Sequence, residues 1–342
     1  MTAMKLINGK RRKMERVKLG NTDIEVTPIG LGVLTVGKTQ LDLPLQEGAE
    51  VVRYAYERGI RFFDTAQYYE TYPYIRAAFS EMPGKPAIDC SPQNPDRPII
   101  VSKCLDLSYE EMEAAIAECL EALALEYIDI FLLHEVRQYP DWEQRSGAWQ
   151  CLLDYRARGI IGAIGVSTHH IDVVQKMLDV PECEVVFPLI NYAGLGIRKG
   201  DSPGTAEEMA QAIRACLDAG KGVFAMKAFG GGNLSGSYRD ALDYVRDLGV
   251  HSIMVGMGNQ AEIDRLAEYA EGSLPLDYTP DIREKKIRID LGNCEGCGAC
   301  TKRCPNGAIH WNADGLTEVD HDICLTCGYC APVCPVRAII MW

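Results

Sequence analysis

From Pro28 onward, short apolar runs alternate with longer stretches in which apolar residues recur at helical spacing. Residues 29–36, 61–64, 99–103, 128–134, 161–167, 185–191, 222–228 and 252–257 read as eight strands. Residues 47–58, 109–123, 149–158, 207–219, 238–248 and 260–269 read as helices, several of them followed by a glycine (Gly59, Gly159, Gly220, Gly249) suited to a C-terminal cap. Eight strand-helix units over roughly 250 residues predict a closed, parallel (β/α)8 TIM barrel. The alternative, a doubly wound open sheet, would place Gly-x-Gly-x-x-Gly after the first strand, whereas Gly30-Leu31-Gly32 runs on to Thr35. Ahead of the barrel, 17–19 and 24–26 flank Gly20-Asn21-Thr22-Asp23 as a hairpin able to plug its bottom, and residues 81–98, with five prolines, read as an irregular excursion.

Composition narrows the class. Of 342 residues, 47% are hydrophobic and 24% charged, ordinary values for a globular protein. A net charge of -13 argues against a broad nucleic-acid surface, and no apolar run approaches the roughly 20 residues of a membrane span. Lys10-Arg11-Arg12-Lys13 belongs to a basic tail, and Glu15, Arg16 and Lys18 stand where an export signal would turn apolar. Eight of the fourteen cysteines fall between 294 and 342 in a regular pattern, which points to metal binding in a reducing cytoplasm.

Asp64, Lys103 and His134 sit at the carboxyl ends of consecutive predicted strands, the catalytic rim of such a barrel, and Tyr69 follows Asp64 closely. Each alone has a structural explanation, as a helix cap, a salt-bridge partner or a core histidine. Together they make chemical sense: a lysine beside Tyr69 would lower the phenol's pKa, Asp64 would hold the lysine's proton, and His134 would donate to a carbonyl oxygen.

These residues resemble the aldo-keto reductase tetrad in order and spacing, with Leu132-Leu133-His134 and the opening Leu19-Gly20-Asn21-Thr22 matching as well. The resemblance spans about 14–271 and favours Tyr69 over Tyr68 as the phenol. It implies NADP or NAD bound in extended form: Ser167, Thr168 and Asn191 near the carboxamide, Lys227 on the seventh strand, and Gly230, Gly231, Gly256, Gly258 and Asn259 in the loops that cradle phosphate. Phe187 stands where the family usually has Gln.

Cys294-x-x-Cys297-x-x-Cys300-x-x-x-Cys304-Pro305 recurs as Cys324-x-x-Cys327-x-x-Cys330-x-x-x-Cys334-Pro335, the ligand run of two-cluster bacterial ferredoxins. Zinc is the rival metal, but paired Cys-x-x-Cys sites lack the third and fourth cysteines ending in Cys-Pro. The resemblance implies two [4Fe-4S] clusters, one on Cys294, Cys297, Cys300 and Cys334, the other on Cys324, Cys327, Cys330 and Cys304. Residues 308–311 and 316–319 read as a small hairpin between the runs. The expected organisation is thus a basic tail (1–14), the barrel (15–274), a linker (275–286) and a small α+β ferredoxin-like domain (287–342).

The expected function is a cytoplasmic oxidoreductase that interconverts a small-molecule carbonyl and alcohol with NAD(P)H, its clusters either relaying electrons, to an external carrier for example, or stapling the tail. No nucleic-acid or membrane partner is expected. Two alternatives are an iron-sulfur electron-transfer enzyme using flavin or ferredoxin in place of nicotinamide, and a non-catalytic nicotinamide-binding redox sensor.

Overall fold

The structure, a computed structural model, describes residues 14–38, 40–280, 286–336 and 338–341; the basic Lys10–Lys13 run lies outside them. The expected hairpin forms from β1 (Val17–Lys18) and β2 (Glu25–Val26), paired antiparallel. The barrel follows with β3 (Ile29–Gly32), β4 (Phe62–Asp64), β5 (Ile99–Cys104), β6 (Ile128–Leu133), β7 (Ile161–Thr168) and β8 (Val185–Pro188). A short antiparallel pair, β9 (Arg198–Lys199) and β10 (Ser202–Pro203), interrupts the series before β11 (Gly222–Met226) and β12 (Ser252–Gly256) complete it. Neighbouring barrel strands pair in parallel; β12 returns to β3 and β11 to β8, so the ring has no free edge.

The helices are α1 (Leu45–Glu57), α2 (Tyr72–Phe79), α3 (Tyr109–Leu123), α4 (Tyr139–Gln144), α5 (Ser146–Ala157), α6 (Ile171–Lys176), α7 (Ala206–Asp218), α8 (Tyr238–Arg246) and α9 (Gln260–Ala270). Capping boxes fix the starts of α3 (Ser108 with Glu111) and α7 (Thr205 with Glu208). The six expected helices are present. The pattern missed α2, α4 and α6, which at eight, six and six residues are too short to show a period. Three expected strands end early: Val33–Val36 is a 3-10 turn, β8 stops at Pro188, which has no N–H to donate, and β11 stops before Lys227, whose φ of +65° leaves the extended region.

Because side chains alternate along a strand, one set of positions fills the lumen. Phe62, Ile99, Val101, Ile130, Leu132, Val185, Phe187 and Phe224 pack there with Leu19, Ile24 and Val26 of the hairpin, which closes the bottom as expected. Phe224 stacks on Phe187 at 4.1 Å between ring centroids and meets Phe62 edge-on at 4.8 Å. Continued toward the carboxyl rim, the same inward rows reach Asp64 on β4, Lys103 on β5 and the residue after β6, His134. The candidate residues are the polar top of an otherwise apolar column.

The cysteine module contains β13 (Ile287–Ile289), α10 (Ala299–Arg303), β14 (Ile309–Trp311), β15 (Thr317–Val319) and β16 (Ile339–Met341). β14 and β15 form the expected hairpin; the pairing of β13 with β16, which ties the module's start to its end, was not legible in the sequence. Replacing Phe224 by Ala removes the ring shared by both aromatic contacts. It should cost about 3–5 kcal/mol of barrel stability. Equilibrium urea unfolding checks this, and a loss below about 1 kcal/mol would contradict the packing.

Candidate active site

Lys103 is 1% exposed, and its ammonium donates to Asp64 Oδ1 at 2.6 Å and to the Thr65 carbonyl at 2.7 Å. Its Nζ lies 4.5 Å from the Tyr69 ring centroid and 5.6 Å from that of Phe187. Tyr69 ends a short 3-10 turn (Gln67–Tyr69), and its hydroxyl is 3.3 Å from His134 Nε2. Arg145 holds the His134 carbonyl at 2.8 Å. Thus Asp64, Lys103, Tyr69 and His134 converge at one end of the lumen, and Tyr68 lies to the side, donating to the Tyr329 carbonyl at 3.1 Å.

Burial pushes the Asp64 carboxyl up and the Lys103 ammonium down from their ordinary values, while their mutual attraction opposes both shifts. One expectation is overturned. Lys103 does not lower Tyr69: the ammonium faces the ring rather than the hydroxyl, and burial, with Asp64's charge adding, holds the phenol well above its usual value. Tyr69 is therefore a firmly protonated phenol. Burial and the charge of Lys103 keep His134 well below the usual imidazole range, so it is neutral; its Nδ1 finds no partner among the described residues.

A cleft of about 670 Å³ opens above this group, between the barrel rim and the cysteine module. Asp64, Tyr69, Phe187, Lys227, Gly231 and Gly256 line it on the barrel side, and His321, Cys324, Thr326 and Tyr329 on the module side. Of the residues expected at a cofactor, Ser167, Thr168, Asn191, Gly230, Gly258 and Asn259 are not among its lining. Their polar atoms are used internally: Ser167 Oγ accepts from Glu135 N–H, Thr168 donates to the Val136 carbonyl, and Asn191 bridges Leu195 and Lys227. Gly230 N–H donates to the Lys227 carbonyl. Asn259 caps α9 by accepting from Glu262 N–H, and Glu262 in turn accepts from Gly258 N–H at 2.7 Å, so a carboxylate sits where a phosphate was expected. Gly231 has another reason to be glycine: at φ +71°, a Cβ there would lie 1.9 Å from the Leu325 carbonyl oxygen of the module. Lys227, Arg265 and Lys286 bring positive charge to the cleft wall, Arg265 while paired with Glu268 at 2.7 Å.

The module docks on the rim through polar contacts absent from the sequence reading. Arg303 pairs with Glu135 at 2.8 Å, and its guanidinium lies 4.5 Å and 4.6 Å from the Tyr68 and Tyr329 ring centroids. Arg137 holds Glu135 from the other side at 2.9 Å. Thr326 donates to the Gly231 carbonyl and Asn233 to the Cys324 carbonyl. Tyr329 donates to the Tyr69 hydroxyl at 2.9 Å. In sequence Tyr329 is a spacer inside the second cysteine run, and nothing there marks it.

Within the module, burial raises the Cys304, Cys324 and Cys330 thiols, Cys324 to about 11, and the charge of Cys327 adds to each. Four cysteines, Cys304 from the first run and three from the second, therefore share one neighbourhood. Cys294 and Cys300 share the Thr317 hydroxyl, at 3.4 and 3.5 Å. In both runs the sulfur of the last cysteine accepts from the N–H four residues on, Cys304 from Ala308 and Cys334 from Ala338. Among the described residues no three His, Cys, Asp or Glu side chains meet at a point as one ion requires; a cube of four irons takes each thiolate at a different corner. The donor set fits such clusters.

Burial depresses His134, His169 (to about 3) and His170 (to about 4). Each is neutral when folded and takes up a proton near its ordinary value of about 6.5 when unfolded, so the stability these histidines contribute should be complete above that pH and be lost as pH drops toward 4. Urea unfolding between pH 7 and 4.5 tests the sign. His169→Gln should make stability fall less on acidification than in the wild type, and a pH slope unchanged by the substitution would refute the assignment, the carboxyls with raised pKa, such as Asp64, being common to both proteins.

Comparison with known proteins agrees with this geometry. Residues 28–277 match the aldo/keto reductase family and 287–341 a 4Fe-4S dicluster domain. D-threo-aldose 1-dehydrogenase of a Pseudomonas species is 24% identical over 77% of this chain and 95% of its own length. L-galactose dehydrogenase of Arabidopsis thaliana is 28% identical over 54% of this chain, which spans 58% of that protein. One subunit of the anaerobic dimethyl sulfoxide reductase of Escherichia coli is 39% identical over 22% of this chain, which spans 37% of it. In fold, PA4992 of Pseudomonas aeruginosa superposes with a TM-score of 0.60 at 22% identity, covering 77% of this chain and 99% of that one. A Bombyx mori aldo-keto reductase in complex with NADP gives 0.57 at 18%, covering 79% and 90%. The barrel closed by eight parallel strands, its rim residues and the matched span together establish that the chain belongs to the aldo/keto reductase family and carries a C-terminal 4Fe-4S dicluster domain.

Proposed function

We propose that the chain interconverts a small carbonyl compound and its alcohol with a nicotinamide dinucleotide, NADP or NAD, held in the cleft. The observation that carries this reading is that Tyr69 and Asp64 line the cleft while a neutral His134 lies 3.3 Å from the Tyr69 hydroxyl and the buried Lys103 is paired with Asp64 behind them. Bound there, a nicotinamide would supply the hydride that the carbonyl carbon takes up. Tyr69 gives its phenolic proton to the oxygen, His134 orients that oxygen by a hydrogen bond, and Lys103 with Asp64 keeps the Tyr69 ring in place. Lys227, Arg265 and Lys286 on the cleft wall would hold the dinucleotide phosphates.

The module is proposed to hold two [4Fe-4S] clusters, wired so that Cys304 and Cys334 each cross to the other run's cluster. Clusters supply single electrons. Cys327 packs in one buried group with Ala66, Tyr69 and Tyr329, which favours an electron relay to an external carrier over a staple alone. A reducing, cytoplasmic setting suits such chemistry.

Tyr69→Phe should lower kcat for aldehyde reduction by about 10²- to 10⁴-fold with the fold unchanged. Unchanged turnover would move the proton donor elsewhere. Cys304→Ala should bring bound iron from about eight per chain to about four or fewer. Iron retained in full would rule out the crossed wiring.

A further inference from the structure

Tyr69 and His134 are the two groups that would grip a substrate oxygen, and the space beside them is taken. Tyr329 is 6% exposed and its hydroxyl donates to Tyr69 at 2.9 Å. Its ring centroid lies 6.0 Å from that of Tyr69 and 6.3 Å from that of His134. It is also held from several sides. Arg303 covers its face while ion-paired with Glu135, the chain neighbour of His134. Tyr68 bonds its carbonyl at 3.1 Å, and Thr326, three residues earlier, is tied to Gly231. Glu135 itself has a φ of +55°, a conformation few non-glycine residues hold without surrounding support. The phenol is built into the site from the module side, and open space continues from Tyr69 and Tyr329 toward Gly231 and Gly256.

We propose that Tyr329 is a specificity-determining residue supplied by the cysteine module: its hydroxyl holds the place of the substrate oxygen, and its ring limits the substituents that can lie beside that oxygen. A substrate binds by displacing the Tyr329–Tyr69 hydrogen bond. Small aldehydes can do so by a modest shift of the ring; bulky aromatic ketones meet the ring itself. The proposal takes from the carbonyl-reductase reading only the identity of the oxygen site.

The test uses the full, iron-loaded chain saturated with NADP+, which cannot reduce an aldehyde, so binding is read without turnover. Calorimetric titration with benzaldehyde should give a Kd about 2- to 10-fold lower for Tyr329→Phe than for the wild type, the effect of one neutral hydrogen bond removed from competition. Tyr329→Ala should in addition bind 2-acetylnaphthalene about 10-fold or more tighter, as expected when a pocket gains room for a ring. With NADPH, the gain in kcat/KM should appear in KM. Iron content confirms that each variant is folded, and should Tyr329→Phe lose iron, Tyr329→Leu carries the same comparison. Benzaldehyde affinity unchanged or weakened by removal of the hydroxyl overturns the proposal. Tighter binding with no NADPH-driven turnover in any variant would support Tyr329's role while defeating the reductase reading.

Discussion

The burial of one ammonium organises this site. A closed barrel with an apolar lumen offers little to solvate a charge, and an isolated buried lysine would give up its proton. Lys103 is held there by Asp64 and the Thr65 carbonyl, and both of those partners lie at the end of β4, immediately before the turn that carries Tyr69. The same ammonium lies against the faces of Tyr69 and Phe187. Satisfying the lysine therefore fixes the segment that presents the phenol. Such a pair is poor evidence for stability, since desolvation offsets much of its attraction; its value is geometric.

Geometry also explains the protonation states. Two of the lysine's three N–H donors go to Asp64 and the Thr65 carbonyl, and the ammonium lies over the Tyr69 ring. Burial then dominates, leaving Tyr69 protonated and His134 neutral. The phenol thus keeps its proton, and the neutral imidazole beside it can either donate or accept a hydrogen bond.

The module changes what the barrel rim means. Its docking places Cys327 against Tyr69 and packs Leu325 onto Gly231, so a glycine that serves phosphate binding by sequence analogy serves instead the close approach of two backbones. The ion pair of Glu135 with Arg303 joins the residue after His134 to the last residue of α10. Barrel site and cysteine module thus share the walls of one cleft.

Much of this was written in the chain. Strand alternation made Asp64, Lys103 and His134 inward-facing at the rim, because a period of two carries the apolar rows of β4, β5 and β6 up to those positions. The spacing of the cysteines marked a 4Fe-4S dicluster module without reference to the barrel, since the first three cysteines of each run lie within seven residues and can meet through local turns. Tertiary structure alone decided the rest. Tyr329 meets Tyr69 across 260 residues of sequence and Arg303 meets Glu135 across 168, and no local pattern encodes such a meeting. Whether Lys103 faced the ring or the hydroxyl of Tyr69, and whether Gly258 offered its N–H to a phosphate or to Glu262, depended on side-chain positions that packing sets and spacing does not.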